Sequence, residues 1–407
     1  MRSYIKNTLK RFLPFYIVFA AILFSMALMY LSSEDSVYFS YIYCNVDECN
    51  EFLTRTPYSG LLILLIPTFF LVCIAPLIAN YYRYSLRSVD LYYQTGKGNK
   101  TIRYVHNLVL LSMILIIFTG IYAFTMLFIF IKQIPYAGMI IEDTYYREVY
   151  IFSNYQYYAL AYIPSILSII VTYFISYFFV TRSNNFINSL ITLVGGHLII
   201  GFSLLLPYVF YNGCVGPINE NITINLSSYY MGLKSFSPFS YMIFINNIFN
   251  PLIIGSNIKM FEFGNLDAIL AFIHFIIGLV LMFALTALGI VYFILEKESS
   301  GEYAGKPVGR DKLQEIIFHS TFIIGSFELL IVMNQGILGI FNSIFSFATC
   351  ISLTAVYFAL SGLIRRRFKW NWKEWTIFGS LSASTFLLSL ALLILNTVGY
   401  IINHPIE

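Results

Sequence analysis

VHNLVLLSMILIIFTGIYAFTMLFIFI, from Val105 to Ile131, is the stretch on which the reading of this chain turns. No Asp, Glu, Lys or Arg interrupts it between Arg103 and Lys132. A helix rises about 1.5 Å per residue, so this run is long enough to cross a hydrocarbon core about 30 Å thick. Segments of the same kind recur at about 12–32, 58–80, 157–181, 187–211, 267–295, 314–334, 340–364 and 375–402. The seventh and eighth are parted only by Asn334, Gln335, Gly336 and their neighbours, and read as a tight hairpin or a re-entrant pair. A water-facing domain is about 45–50% apolar and about 25% charged. This chain is 58% hydrophobic and 11% charged over 407 residues. The expected fold is therefore all-α, a polytopic transmembrane bundle of about nine spans (eight to ten), with residues 1–407 forming one transmembrane domain.

The lysines and arginines orient it, because cytoplasmic loops collect them. With the N-terminus inside and spans alternating, the inner segments gather Arg2, Lys6, Lys10, Arg11, Arg83, Arg87, Lys97, Lys100, Arg103 and Arg182. They also gather Lys297, Lys306, Arg310, Lys312, Arg365, Arg366, Arg367, Lys369 and Lys373. Only Arg55, Lys132, Arg147, Lys234 and Lys259 fall outside. The three tryptophans, Trp370, Trp372 and Trp375, cluster beside the arginine run, where interfacial rings anchor a span. The longer outer loops are 33–57 and 212–266, and Tyr241 to Phe249 in the second suits a re-entrant or interfacial helix. The N-terminal apolar run is too long for a signal peptide and reads as a retained first span. The whole describes a multi-pass protein of a bacterial cell membrane, with lipid as a partner and no nucleic acid.

Chemistry is sparse. The cysteines show no metal spacing; Cys73 and Cys350 read as packing residues, and Cys44 and Cys49 would pair only in an extracytoplasmic loop. Asn221-Ile-Thr and Asn225-Leu-Ser match a glycosylation pattern by accident of composition. No phosphate-binding loop is present: Gly301-Glu-Tyr-Ala-Gly305-Lys306-Pro307 has the wrong spacing, and proline follows its lysine. The chain is not expected to hold a cofactor or to be an enzyme itself. Ionisable residues within spans are functional candidates by default. Glu328 is the candidate for a substrate path or proton carrier, against the plainer reading that it snorkels or is hydrogen-bonded within the bundle. His197, His274 and His319 are scattered singly and read as bundle-facing hydrogen-bonders. Gly195-Gly196, with Pro67, Pro76, Pro164 and Pro207, are the places where spans kink or hinge.

The informative inner segment is 81–104. It is basic and aromatic, and two short helical pieces meet around Gly96–Gly98. One reading is an interfacial loop on anionic lipid, the other a docking element for a cytoplasmic partner. Arg87, Asp90 and Tyr92 form an Arg-x-x-Asp-x-Tyr pattern. Tyr292, Glu296, Lys297, Glu302, Ala304 and Gly305 follow the sixth span, and Gly399, Tyr400, His404 and Pro405 leave the last. In these residues and their order the chain resembles exporter-type (type-two) ABC transporter permeases of the Firmicutes. It departs from them at Gln94-Thr95-Gly96, where relatives carry Ser-Leu-Pro.

The resemblance implies a permease that exports a peptide, an antibiotic or a lipid-like substrate. A cytoplasmic ABC ATPase dimer would bind ATP and Mg, and a second permease copy or a related permease would complete the pore. The inner segments 81–104 and 296–315 would be coupling loops, with Arg87, Asp90, Tyr92, Lys97, Lys100, Arg103 and Glu302 as the ATPase-coupling residues. The alternative is a stand-alone secondary transporter, or a membrane-embedded transferase acting on a lipid-linked substrate. The few carboxylates within spans weigh against an ion-driven carrier, and the outer Asp47, Glu48, Glu142 and Asp143 lack convergent spacing for a transferase. A sensor or immunity partner is a third class.

Overall fold

The computed structural model describes residues 2–32, 40–45, 48–54, 64–84, 99–134, 140–142, 147–151, 156–182 and 185–214, and single or short groups of positions between 280 and 398. The chain divides into two units, the first made of Met1–Asn80, Gly96–Phe174 and Tyr241–Lys259 and the second of Tyr81–Thr95, Ile175–Ser240 and Met260–Glu407.

The first unit is built on α1 (Arg2–Ser32), α2 (Leu65–Ala79), α3 (Asn99–Gln133) and α4 (Gln156–Val180) as far as Phe174. On α1, Thr8, Phe12, Tyr16, Phe19, Leu23, Ala27 and Tyr30 are buried, at the three-and-four spacing that keeps one face of a helix inward. The opposite face is apolar as well: Leu13, Ile17, Val18, Leu28 and Met29 are exposed, Ile17 by 59%. The helix α3 repeats this, burying Leu110, Ile114, Phe118 and Tyr122 while Ile116 stands 62% exposed. A helix that is apolar on its outer face as well as its inner one is matched to hydrocarbon rather than water. Among the described residues, α1 over Tyr4–Ser32 and α3 over Lys100–Lys132 are the two helices long and apolar enough to cross a membrane. These faces mark a membrane-associated helical protein.

Contacts fix the helix directions. Tyr4 Oη meets His106 Nε2 at 3.1 Å, Phe24 packs on Phe124 at 5.3 Å, and Lys132 Nζ donates to the Leu31 carbonyl, so α1 and α3 run parallel. Against α3, the helix α4 runs the other way, with Tyr162 beside Thr119 at 2.7 Å and Tyr173 beside Asn107 at 2.9 Å. The C-terminal end of α2 also lies by Asn107, through Asn80, so α2 opposes α3 too. These four helices therefore alternate in direction.

The all-α expectation gains one addition. Strands β1 (Ser40–Asn45), β2 (Glu48–Thr54), β3 (Ile140–Glu142) and β4 (Arg147–Ile151) form an antiparallel sheet in the order β2-β1-β4-β3. Tyr41 is in register with Leu53 on one side and Tyr150 on the other. β-branched and aromatic residues favour such a surface. The strands follow the C-terminal ends of α1 and α3, where Lys132 reaches Leu31, so the loops after the first and third helices meet at one end of the unit.

In the second unit, α4 continues to Val180 and turns back into α5 (Phe186–Cys214). Asn185 Oδ1 accepts from the Ile187 N–H at 3.0 Å and caps α5, while Thr181 and Ser189 hydroxyls donate to the Tyr177 and Val180 carbonyls that end α4. Gly196 sits where a Cβ would lie 2.6 Å from the Phe179 ring. Thr321 Oγ1 donates to the Gly195 carbonyl at 3.0 Å. The glycine pair, read from sequence as a hinge, lies inside a continuous helix and serves close packing of neighbours. The short apolar helix α6 (Thr286–Leu295) lies in the same unit.

Candidate functional site

Polar side chains gather at the end of the first unit opposite the sheet. Asn80 follows α2, and its Nδ2 donates to the Pro76 carbonyl at 2.8 Å and to Asn107 Oδ1 at 3.3 Å. Asn107 Nδ2 donates to the Arg103 carbonyl at 2.9 Å and to Asn80 Oδ1 at 3.5 Å. Tyr173 Oη, from α4, donates to Asn107 Oδ1 at 2.9 Å and lies 3.2 Å from the Asn107 carbonyl. All three residues are about 1% exposed. An amide taken out of water without a partner is costly, so a buried cluster persists only when its members satisfy one another. Here the amide of Asn107 is the hub that does so.

Beside the hub, Phe12 sets its edge on the His106 ring at 5.6 Å and Tyr4 stacks on that ring at 5.9 Å. The ends of α1, α2 and α3 and the adjoining stretch of α4 are thereby held as one polar layer. Asn80 immediately precedes residue 81 and α3 begins at Asn99, so the layer joins the two helices between which residues 81–98 lie in the chain.

The structure places the expected coupling residues unequally. Lys100 is exposed on the first turn of α3. Arg103 is buried, 4% exposed, with its guanidinium 5.2 Å from the Tyr104 ring centroid. Arg87, Asp90, Tyr92, Lys97 and Glu302 lie outside the described residues, as do Glu328, His274 and Cys350. His197 meets Ser176 at 2.9 Å and the Phe179 ring edge-on. Cys73 is buried on α2. Among the described residues, no group of three or more His, Cys, Asp or Glu side chains is placed to hold a metal ion.

Sequence reasoning passed over Asn80, Asn107 and Tyr173. The one signal was polar amides abutting or entering runs that are otherwise apolar, a pattern that usually marks only where a span ends. No protein-family model matches this chain, and neither a curated protein nor a solved structure matches it.

Proposed function

We propose that this chain is the membrane-spanning subunit of an ABC transporter, moving a peptide, antibiotic or lipid-like substrate with ATP hydrolysed on a separate subunit. Its spans cross a cell membrane about nine times, with the N-terminus and the segments 81–104 and 296–315 facing the cytoplasm. The observation that carries this reading is the amide pair Asn80–Asn107, which locks together the helix ends flanking residues 81–98. The pair couples the end of α2 to α3, the two helices that this segment joins. A partner that binds it and moves transmits that movement to α3 and, through Tyr173, to α4. A loop whose work was only to connect two spans would need no such anchoring.

Arg87, Asp90 and Tyr92 supply the docking pattern in this account, and the exposed Lys100 supplies charge at the root of α3. The work is done by differential contact of the partner with two arrangements of the helices. Mild detergent extraction from the native membrane tests the proposal. An ATP-hydrolysing subunit co-purifies if the reading is right, and a chain that purifies alone or only with itself overturns it.

A further inference from the structure

Arg182 follows α4 in the second unit. Its guanidinium carbon lies 4.5 Å from the centroid of the Phe178 ring and 4.3 Å from that of Tyr292, which belongs to α6. The two rings touch edge to face at 5.8 Å. Two aromatic contacts fix a side chain that is otherwise rich in rotamers. No carboxylate among the described residues neutralises it, and its Nε has no hydrogen-bond partner among them.

Other aromatic residues of the same unit suit the edge of a bilayer. Tyr81, Tyr84 and Phe186 pack edge to face at centroid distances of 5.9 to 6.2 Å. Tyr81 is 53% exposed and Phe186 40% exposed. From Phe186 an exposed apolar track runs along α5 through Ile187, Leu190, Val194 and Leu198. Exposed aromatic rings settle at headgroup depth, where a cation meets lipid phosphate. A planar guanidinium takes phosphate through two parallel hydrogen bonds, and one held in place in advance loses less freedom on binding.

We propose that Arg182, held by Phe178 and Tyr292, binds the phosphate of an anionic phospholipid whose acyl chain lies along Ile187, Leu190 and Val194. The apolar track decides for a lipid over free phosphate, since phosphate alone has nothing to place there.

Thermal unfolding of the purified full chain in neutral detergent tests this. Phosphatidylglycerol, phosphatidylcholine of the same acyl chains, and inorganic phosphate are titrated in turn. Phosphatidylglycerol raises the melting temperature well beyond the other two, and Arg182→Gln needs about tenfold more of it for the same rise, the loss of one charge-assisted contact. An unchanged phosphatidylglycerol response in Arg182→Gln overturns the proposal. So does an equal response to phosphatidylcholine or to inorganic phosphate. Should Arg182→Gln fail to fold, Tyr292→Leu keeps the charge and removes one wall of the clamp. A wild-type response in Tyr292→Leu contradicts the proposal, and a weakened one supports it.

Discussion

Asn80 and Asn107, 27 residues apart in the chain, face each other as a buried amide pair, with Nδ2 to Oδ1 distances of 3.3 Å and 3.5 Å. One ends α2 and the other lies two turns into α3, so the pair closes the loop between them at its base. Tyr173 adds α4 to the same knot. Once water is excluded, these groups have few alternatives to one another.

Replacing Asn107 with Leu takes the side-chain partner from both Asn80 Oδ1 and Tyr173 Oη, leaving the hydroxyl only its longer contact to the residue 107 carbonyl. Each buried group left so costs about 1–3 kcal/mol, and intramembrane hydrogen bonds fall towards the low end. Asn107→Leu therefore destabilises the chain by about 2–4 kcal/mol, whereas Tyr173→Phe, which removes a single hydroxyl, costs about 0.5–1.5 kcal/mol. Denaturant titration in mixed micelles ranks the two. Equal stability of Asn107→Leu and wild type contradicts the hub.

Two helical glycines are predicted to behave oppositely. At Gly196 an added Cβ would lie 2.6 Å from three atoms of the Phe179 ring, so Gly196→Ala displaces the ring and costs about 1–3 kcal/mol. At Gly120 nothing lies within 4 Å, so Gly120→Ala gains about 0.5–1 kcal/mol of helix propensity. The same titration distinguishes them, and a loss at Gly120 matching that at Gly196 refutes the packing account.

Lys132 holds the end of α1 through the Leu31 carbonyl, and a cation there also opposes the negative end of the helix dipole. Lys132→Met loosens the last turn of α1 and leaves Tyr4 and His106, at the far end, in place. Hydrogen exchange resolves this: amides after about Met26 exchange faster, and those near Thr8 do not change. Faster exchange along the whole helix contradicts a local cap.

Sidedness is testable at two exposed residues on opposite ends of the first unit. In a cysteine-free background, a membrane-impermeant maleimide reaches Ser32→Cys on intact cells and reaches Lys100→Cys only on inverted vesicles. The reverse pattern places the N-terminus outside and removes the cytoplasmic assignment of 81–104.

The length of Val105–Ile131 made α3 legible, because an uncharged run of that size has few places to go other than lipid. The alternation of helix directions was legible in the succession of such apolar runs. The sheet was not. Its strands are short, and Tyr41 pairs with Tyr150 more than a hundred positions away, a pairing that no local pattern encodes. Arg103 counted equally with Lys100 as a basic residue of one segment. Which of the two faces inward depends on how α3 packs, and Ile102, Arg103, His106 and Asn107 turn out to share its buried side. Asn80 and Asn107 looked like boundary residues because single-sequence reasoning sees polarity and not the partner that satisfies it. At Gly195-Gly196 the pattern of small residues was visible, and its use for close packing became clear only with Phe179 and Thr321 beside it.

The central claim is that residues 81–104 transmit a partner's ATP-driven movement to the helices. The most direct measurement is ATP hydrolysis by the complex isolated from native membranes, for wild type and for Arg87→Glu and Asp90→Arg separately and together. The account predicts that an ATPase accompanies the wild-type chain, that each single reversal weakens its retention or activity, and that Lys132→Met, at the far end of α3, leaves both intact. An ATPase retained with full activity by both reversals, or no ATPase at all, contradicts it.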